Sequence, residues 1–390
     1  MKVVIQGASG LKNSGDEAIL QSILQKADKS YDITVITFDV EYSTRLHPNV
    51  KFVKMGGREC LQAVKECDLF ILGGGGLLQD ETSIYNVTRW MKYLKYCIKK
   101  GKKTYLYANS IGPVRFKINK MFIKKWLNQV DRITLRDELS LRILKSIIKD
   151  VKNAEVTADP VFSLKKDSSV DISRFHLPPN YAVVCVRHWY DTSTFIPVSI
   201  CNRLHIQNKR NKEKYRKYVE NIAHLADYIS EKYHLSIVMI PFLYGRDNCV
   251  MEDINSFMRT RGIILEDKYL KPEEVMEIIS NSEMLTGMRL HSIIYGAISA
   301  IPALIIDYSA KVRGMAGYLG LEEYTLKVDT LEENSMQDTI DKIMKNRDEI
   351  QEQLRTVTGI MKQKDERNQK ILEELIEFLK SENNWKAEEV

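Results

Sequence analysis

A chain of 390 residues is too long for one ordinary hydrophobic core, so two domains are the default. An apolar share of 44% and a charged share of 28% exclude a disordered chain, and no run reaches the roughly 18 apolar residues that would cross a bilayer. The net charge of +6 is modest for this size, so its distribution says more than its sum.

Residues 2–6 read as a first strand, which runs into a loop with glycines at 7, 10 and 15. A helix opens there, with Ser14 or Asp16 as its N-cap and an acidic first turn that suits the helix dipole. Residues 33–38 make a second strand, 59–67 a helix, and 69–72 a third strand running into Gly73-Gly74-Gly75-Gly76. A helix over 84–100, a strand over 104–108, a helix over 116–129 and a strand over 132–135 ending on Arg136 follow, and 156–162 close the set. The polar, proline-bearing stretch 165–180 reads as a linker. Strands near 181–186, 236–241, 263–265, 284–286 and 303–306 then repeat the pattern. Strands alternating with such helices mean βαβ units on parallel sheets. The expected fold class is therefore α/β: two Rossmann-like domains, 1–165 and 178–345, facing each other across a cleft. The apolar stripes of 346–390 predict a helical tail packing back on the body, in preference to a coiled coil.

The first residues go straight into a strand, with an apolar stretch too short for a signal peptide, which predicts a cytoplasmic protein. The six cysteines form no C-x-x-C pair and fit neither a zinc site nor a disulfide framework. No cluster stands at metal-ligand spacing, so neither a metal nor a cofactor is expected. Within 284–320, Arg289 and His291 follow one strand end, and Lys311 and Arg313 follow another. Ligands of open α/β sheets bind outside the carboxyl ends of strands, so these cations stand where a ligand would sit. The first glycine loop matches neither nucleotide-binding glycine pattern, although Asn13-Ser-Gly-Asp could orient sugar hydroxyls. Four glycines at 73–76 leave backbone N–H groups open to a ligand, and Asp80 beyond them could accept from hydroxyls. Arg136 at a strand end suits a carboxylate or phosphate, with Asp137 or Glu138 as competing partners.

Taken in order, N-x-G-D-E at 13–17, G-G-G-G-L-x-x-D at 73–80, S-I-G-P at 110–113, R-D-x-x-S at 136–140, A-D-P at 158–160, M-R-L-H at 288–291 and Lys311 in D-Y-S-A-K resemble the polysaccharide pyruvyl transferase family. The resemblance covers most of residues 1–320. It implies a glycosyltransferase-B-like fold and transfer of a pyruvyl group from phosphoenolpyruvate to two sugar hydroxyls, forming a cyclic ketal and releasing phosphate. It also implies a donor pocket of Arg136, Arg289, His291 and Lys311, with the backbone N–H of Leu290. The acceptor is then expected against Asn13, Gly15, Asp16, Gly74, Gly75 and Asp80. A donor carrying a carboxylate and a phosphate needs about two cationic clamps and helix N-terminal amides, which agrees with that set. His291 is expected to donate the proton or to steady the leaving phosphate, with Asp16 or Asp80 as substitute acids.

The strongly basic stretch 187–218 departs from the family pattern. With the basic segments 89–103 and 115–125, which carry Trp90, Tyr93, Tyr96, Phe122 and Trp126, it predicts a cationic, aromatic-edged surface. Such a surface suits the inner face of an anionic membrane and a lipid-diphosphate-linked acceptor, with a soluble glycan as the other option. No nucleic-acid-binding module is present. The oligomeric state stays open, a homo-oligomer included. The rival readings are a nucleotide-sugar glycosyltransferase on the same fold and a non-catalytic glycan-binding protein.

Overall fold

Two parallel sheets, each in the strand order of a doubly wound fold, make up the molecule. A computed structural model describes residues 1–28, 30–165, 170–189 and 209–388, with side chains to 381. The first sheet is built from β1 (Lys2–Gln6), β2 (Asp32–Thr37), β3 (Lys51–Lys54), β4 (Leu69–Leu72), β5 (Gly75–Leu78), β6 (Lys103–Ile111), β7 (Arg132–Leu135) and β8 (Ala154–Val156). Its helices are α1 (Ser14–Lys26), α2 (Val40–Leu46), α3 (Arg58–Glu66), α4 (Asn86–Lys99), α5 (Lys117–Leu127) and α6 (Glu138–Ile147). The second sheet comprises β9 (Tyr181–Cys185), β10 (Ser236–Met239), β11 (Ile263–Ile264), β12 (Met284–Gly287), β13 (Ala303–Asp307) and β14 (Thr325–Lys327). With it go α7 (Lys209–Tyr233), α8 (Arg246–Asn255), α9 (Pro272–Ser280), α10 (Leu290–Ile298), α11 (Ala310–Leu319) and α12 (Glu333–Lys345). A last helix, α13, runs from Arg347 to Glu388.

The orders are β3-β2-β1-β4-β6-β7-β8, with β5 pairing β6 off the main path, and β11-β10-β9-β12-β13-β14. β1 aligns Gln6 with Ile36 of β2 and with Leu72 of β4, while β9 aligns Val184 with Met239 of β10 and Thr286 of β12. Strand order therefore reverses between β1 and β4, and again between β9 and β12. Each reversal opens a crevice at the carboxyl edge, the usual ligand position of the fold. β4 and β9 are apolar and buried along their whole length, as strands covered on both faces must be.

One apolar core lies between the first sheet and α3 to α6, around Val64, Leu94, Ile123 and Leu144. The other continues from Ile19 and Ile23 of α1, through Val161, into the second domain. The halves also join through backbone: Ser14 N–H donates to the Phe242 carbonyl (2.8 Å) and Tyr244 N–H to that of Lys12 (3.0 Å). Across the same boundary, the rings of Tyr42 and Tyr269 stack at 5.7 Å.

The helical tail is the long α13, which crosses back to the first domain. There Asn368 accepts from the Thr157 hydroxyl (2.9 Å) and donates to the Ala158 carbonyl (3.3 Å), while Asp365 pairs with Lys26 of α1. The short strands β3 and β14 escaped the sequence pattern, having few residues to show a period. Cys60, Cys67, Cys97 and Cys185 are buried and unbridged and Cys249 is exposed. Cys201 and most of the basic stretch, 190–208, lie outside the described residues.

Candidate functional site

The two crevices face each other, and the predicted cations line them from both sides. α1 starts beside the β1 crevice. Its N-cap is Asn13, whose side-chain oxygen accepts from Gly15 N–H (3.1 Å); neither Ser14 nor Asp16 takes that place. Gly15 lies directly under the imidazole of His291, where a Cβ would collide with the ring. Asp16, next along, has His291, Arg136, Arg289 and Asp159 as electrostatic neighbours. Burial raises its carboxyl above the ordinary range despite the three cations.

Arg136 follows β7, its N–H bonded to the Asn109 carbonyl at 3.2 Å. Its buried guanidinium meets Asp159 at 2.6 Å and Asp137 at 3.8 Å. Asp137 is chiefly occupied as the N-cap of α6, accepting from Ser140 N–H. Burial alone would raise the Asp159 carboxyl, yet the charge of Arg136 and the nearby His291 outweigh it and hold it well below the usual range. His291 Nε2 stands 3.6 Å from the same carboxylate.

On the other side, Arg289 follows β12 and occupies the N-cap position of α10 without capping it. Its Nε donates to Asp247 of α8 at 2.9 Å, and a second amine meets the other carboxylate oxygen. The first turn of α10 therefore has no side-chain cap, and the Leu290 amide stands at a helix N-terminus that favours an anion. Lys311, in the first turn of α11, reaches across to the glycine run: its Nζ lies 2.8 Å from where a Cβ on Gly76 would be. Burial and the charge of Arg136 push its pKa down to about 8. Among the described residues, Lys311 has no acidic partner within ion-pair distance.

Residues 13–310 match the family model described as polysaccharide pyruvyl transferase. The chain belongs to that family. Lys311 follows directly on the matched segment. Solved structures share the fold of this pyruvyl transferase family member at low identity. HepE from Anabaena, solved with UDP and glucose, has a TM-score of 0.61 at 12% identity, over 97% of this chain and 99% of that one. S. aureus MnaA, solved with UDP, has a TM-score of 0.59 at 12% identity, over 91% and 90%. The UDP-GlcNAc 2-epimerase of Methanocaldococcus jannaschii has 0.54 at 12%, over 87% and 92%. The fold is glycosyltransferase-B-like, as in these structures.

Arg136, Arg289, His291, Lys311, Asn13, Gly15, Asp16 and Gly75 thus gather at the family member's cleft, while two expected acceptor residues, Asp80 and Gly74, take other roles. Asp80 is fully buried, and its oxygens accept from the N–H groups of Arg115 (2.8 Å) and Phe116 (3.0 Å) and from Asn119 (3.1 Å). It holds the entry to α5, and full burial closes it to a sugar. Gly74 is buried where a Cβ would press on Ile19 at 3.0 Å and on the Ala108 carbonyl at 3.2 Å, so it serves the packing of α1 on the sheet. Gly75 supplies a φ of +102° and opens β5, yet it stays beside the site, since a Cβ there would meet Asp16 Oδ1 at 3.4 Å. The run is thus mostly a strand start, and Gly76 alone faces Lys311.

Two carboxylates absent from the expected site turn out to organise it. Asp159 was visible as the centre of A-D-P, and proline after it signals a turn at a strand end. Asp247 carries no local signal, because only the tertiary fold brings α8 beside β12. Arg187, just past the carboxyl end of β9, opens the basic stretch 187–218 and has no site signal of its own in the sequence. Its guanidinium lies 4.7 Å from the Tyr308 ring centre, on the same sheet edge as Arg289.

Proposed function

We propose that this protein transfers the pyruvyl group of phosphoenolpyruvate to two hydroxyls of a sugar in a cell-surface polysaccharide precursor, lipid-linked or soluble. In this reaction a proton adds to the methylene carbon and a first sugar oxygen bonds to C2. The bond from C2 to the phosphate oxygen breaks, and a second sugar oxygen closes the ketal. The two hydroxyl protons are balanced by the new methyl hydrogen and the released phosphate. The observation that carries this reading is the split anion site: Arg136 from one sheet, with Arg289, His291 and the unpaired Lys311 from the other. A small molecule with two anionic groups fits that distribution better than a neutral sugar does.

In this scheme Lys311 and the α10 amides hold one anionic group, and Arg136 with the free amine of Arg289 holds the other. The carboxylate of Asp159 orients the His291 ring, and His291 delivers the proton or steadies the leaving phosphate. Asp16, whose carboxyl is raised, is the alternative proton source. The sugar lies against the start of α1, near Asn13 and Asp16.

The test offers phosphoenolpyruvate with a panel of lipid-linked and soluble sugars and reads phosphate release and product mass. His291→Ala should abolish phosphate release; retained turnover moves the proton donor to Asp16. The nucleotide-sugar reading draws on the fold shared with the UDP-bound structures. It predicts nucleotide release from a sugar donor and no reaction with phosphoenolpyruvate.

A further inference from the structure

Between Thr82 and Val130 the chain carries twelve Lys or Arg residues and not one Asp or Glu. The whole chain is only +6, so everything outside this stretch is net −6. The stretch spans α4 and α5, which pack side by side on the outer face of the first domain. Among the described residues, Lys92, Lys99, Lys117, Lys120, Lys124 and Lys125 form no ion pair with an acid. Several lay their stems on aromatic rings: Lys95, Lys99 and Lys125 all approach the Trp126 ring within 5.8 Å. The aromatic residues are not the exposed edge expected from sequence, since Trp90, Tyr93 and Trp126 are buried. What protrudes instead is Ile118 (60% exposed), Met121 (68%) and Tyr85 (73%).

These three belong to one spot. Ile118 and Met121 are one turn apart on α5, and Asn119 beside them donates to the Ile84 carbonyl at 3.0 Å, which holds Tyr85 close. Asp80 fixes the same corner through Arg115, Phe116 and Asn119. α5 starts at the carboxyl edge of its sheet, so the apolar tip stands on the rim of the cleft. Residues 79–85 lead to it directly from β5, whose Gly76 faces Lys311.

We propose that the α4–α5 face docks on an anionic lipid bilayer, with Ile118, Met121 and Tyr85 entering the interface and the surrounding lysines meeting lipid phosphates. Charge and apolarity together select this occupant. A second copy on this face would oppose two acid-free basic surfaces. A nucleic acid would use the lysines and gain nothing from Ile118 and Met121. Docking there turns the cleft rim toward the membrane, which suits an acceptor delivered from lipid. The surface itself does not depend on the pyruvyl-transfer reading.

The experiment is co-sedimentation of the full chain with vesicles of phosphatidylcholine alone, or with about 30% phosphatidylglycerol, at about 50 mM salt. Wild type should pellet with the anionic vesicles and stay in solution with the neutral ones. Lys117→Glu/Lys120→Glu/Lys124→Glu should lower the bound fraction at least about tenfold. Ile118→Ser/Met121→Ser should lower it several-fold while turnover of a soluble acceptor stays unchanged. All five residues are exposed, so both variants keep the wild-type thermal transition. Failure of wild type to pellet overturns the proposal, as does equal pelleting of the charge-reversed variant. Stronger retention on duplex DNA than on vesicles, with no effect of the serine variant, assigns the face to a nucleic acid instead. Loss of phosphate release with intact pelleting would sink the pyruvyl-transfer reading and leave this one standing.

Discussion

Lys311 is a cation kept where its charge is disfavoured, which ties ligand binding to pH. Its pKa is lowered from 10.5 to about 8, so between those values the unfolded chain holds a proton that the folded chain has lost. Stability from this group therefore rises with pH across that window, and an anion that needs the charged amine reverses the preference. Affinity for phosphoenolpyruvate should hold below pH 8 and weaken above it by up to about tenfold per unit. Lys311→Met should bind weakly at every pH without the break. Calorimetric titrations at pH 7 and 9 check both, with proton uptake on binding expected only for wild type near pH 9. Asp159 is the opposite case, a carboxylate whose removal strands buried charge. Asp159→Asn leaves Arg136 without its main partner and should cost about 3–5 kcal/mol in denaturant unfolding. It also frees the His291 ring, so turnover should fall even where the protein remains folded.

At the scale of elements, the contact of α1 with α10 decides whether the site assembles. Gly15→Ala should improve the helix by up to about 1 kcal/mol from propensity alone, but the new methyl group lands on His291. The expected outcome is a melting transition within a few degrees of wild type, with phosphate release largely lost. Unchanged turnover would mean that His291 need not lie against α1. Much of the architecture was legible at this scale, because buried parallel strands such as 69–72 and 181–185 are continuous apolar runs between turn residues. The cationic half of the site was legible too, since Arg136 and Arg289 stand just past strand ends and Lys311 lies in the loop-to-helix turn after another. Its acidic half was not: Asp247 is joined to Arg289 only by the fold. Asp80 misled because a carboxylate after a glycine run looks free in sequence, whereas burial gives its oxygens to Arg115, Phe116 and Asn119. Gly74 misled similarly, its missing side chain serving Ile19 and not a ligand.

For the molecule as a whole, the ties between the halves include the paired backbone of 12–14 with 242–244, the Tyr42–Tyr269 stack and the crossing of α13. Asn368 is buried in the last of these ties, and Tyr105 also donates to its carbonyl at 3.0 Å. Asn368→Ala strips partners from the Thr157 hydroxyl and the Ala158 carbonyl and should destabilise by about 1–3 kcal/mol. Because α13 touches both domains, calorimetry should show one cooperative transition that moves down as a unit. Two separated transitions would show the domains melting independently.

The path of α13 also sets a schedule. The first domain is the first to leave the ribosome, and domains ordinarily fold as they emerge. Here the cover for Tyr105, Thr157 and Lys26 is encoded after the entire second domain. The earliest-made half must therefore wait, with part of its sheet bare, for the latest-made helix. Until that helix is made, these groups of the first domain lack their native partners in every round of synthesis.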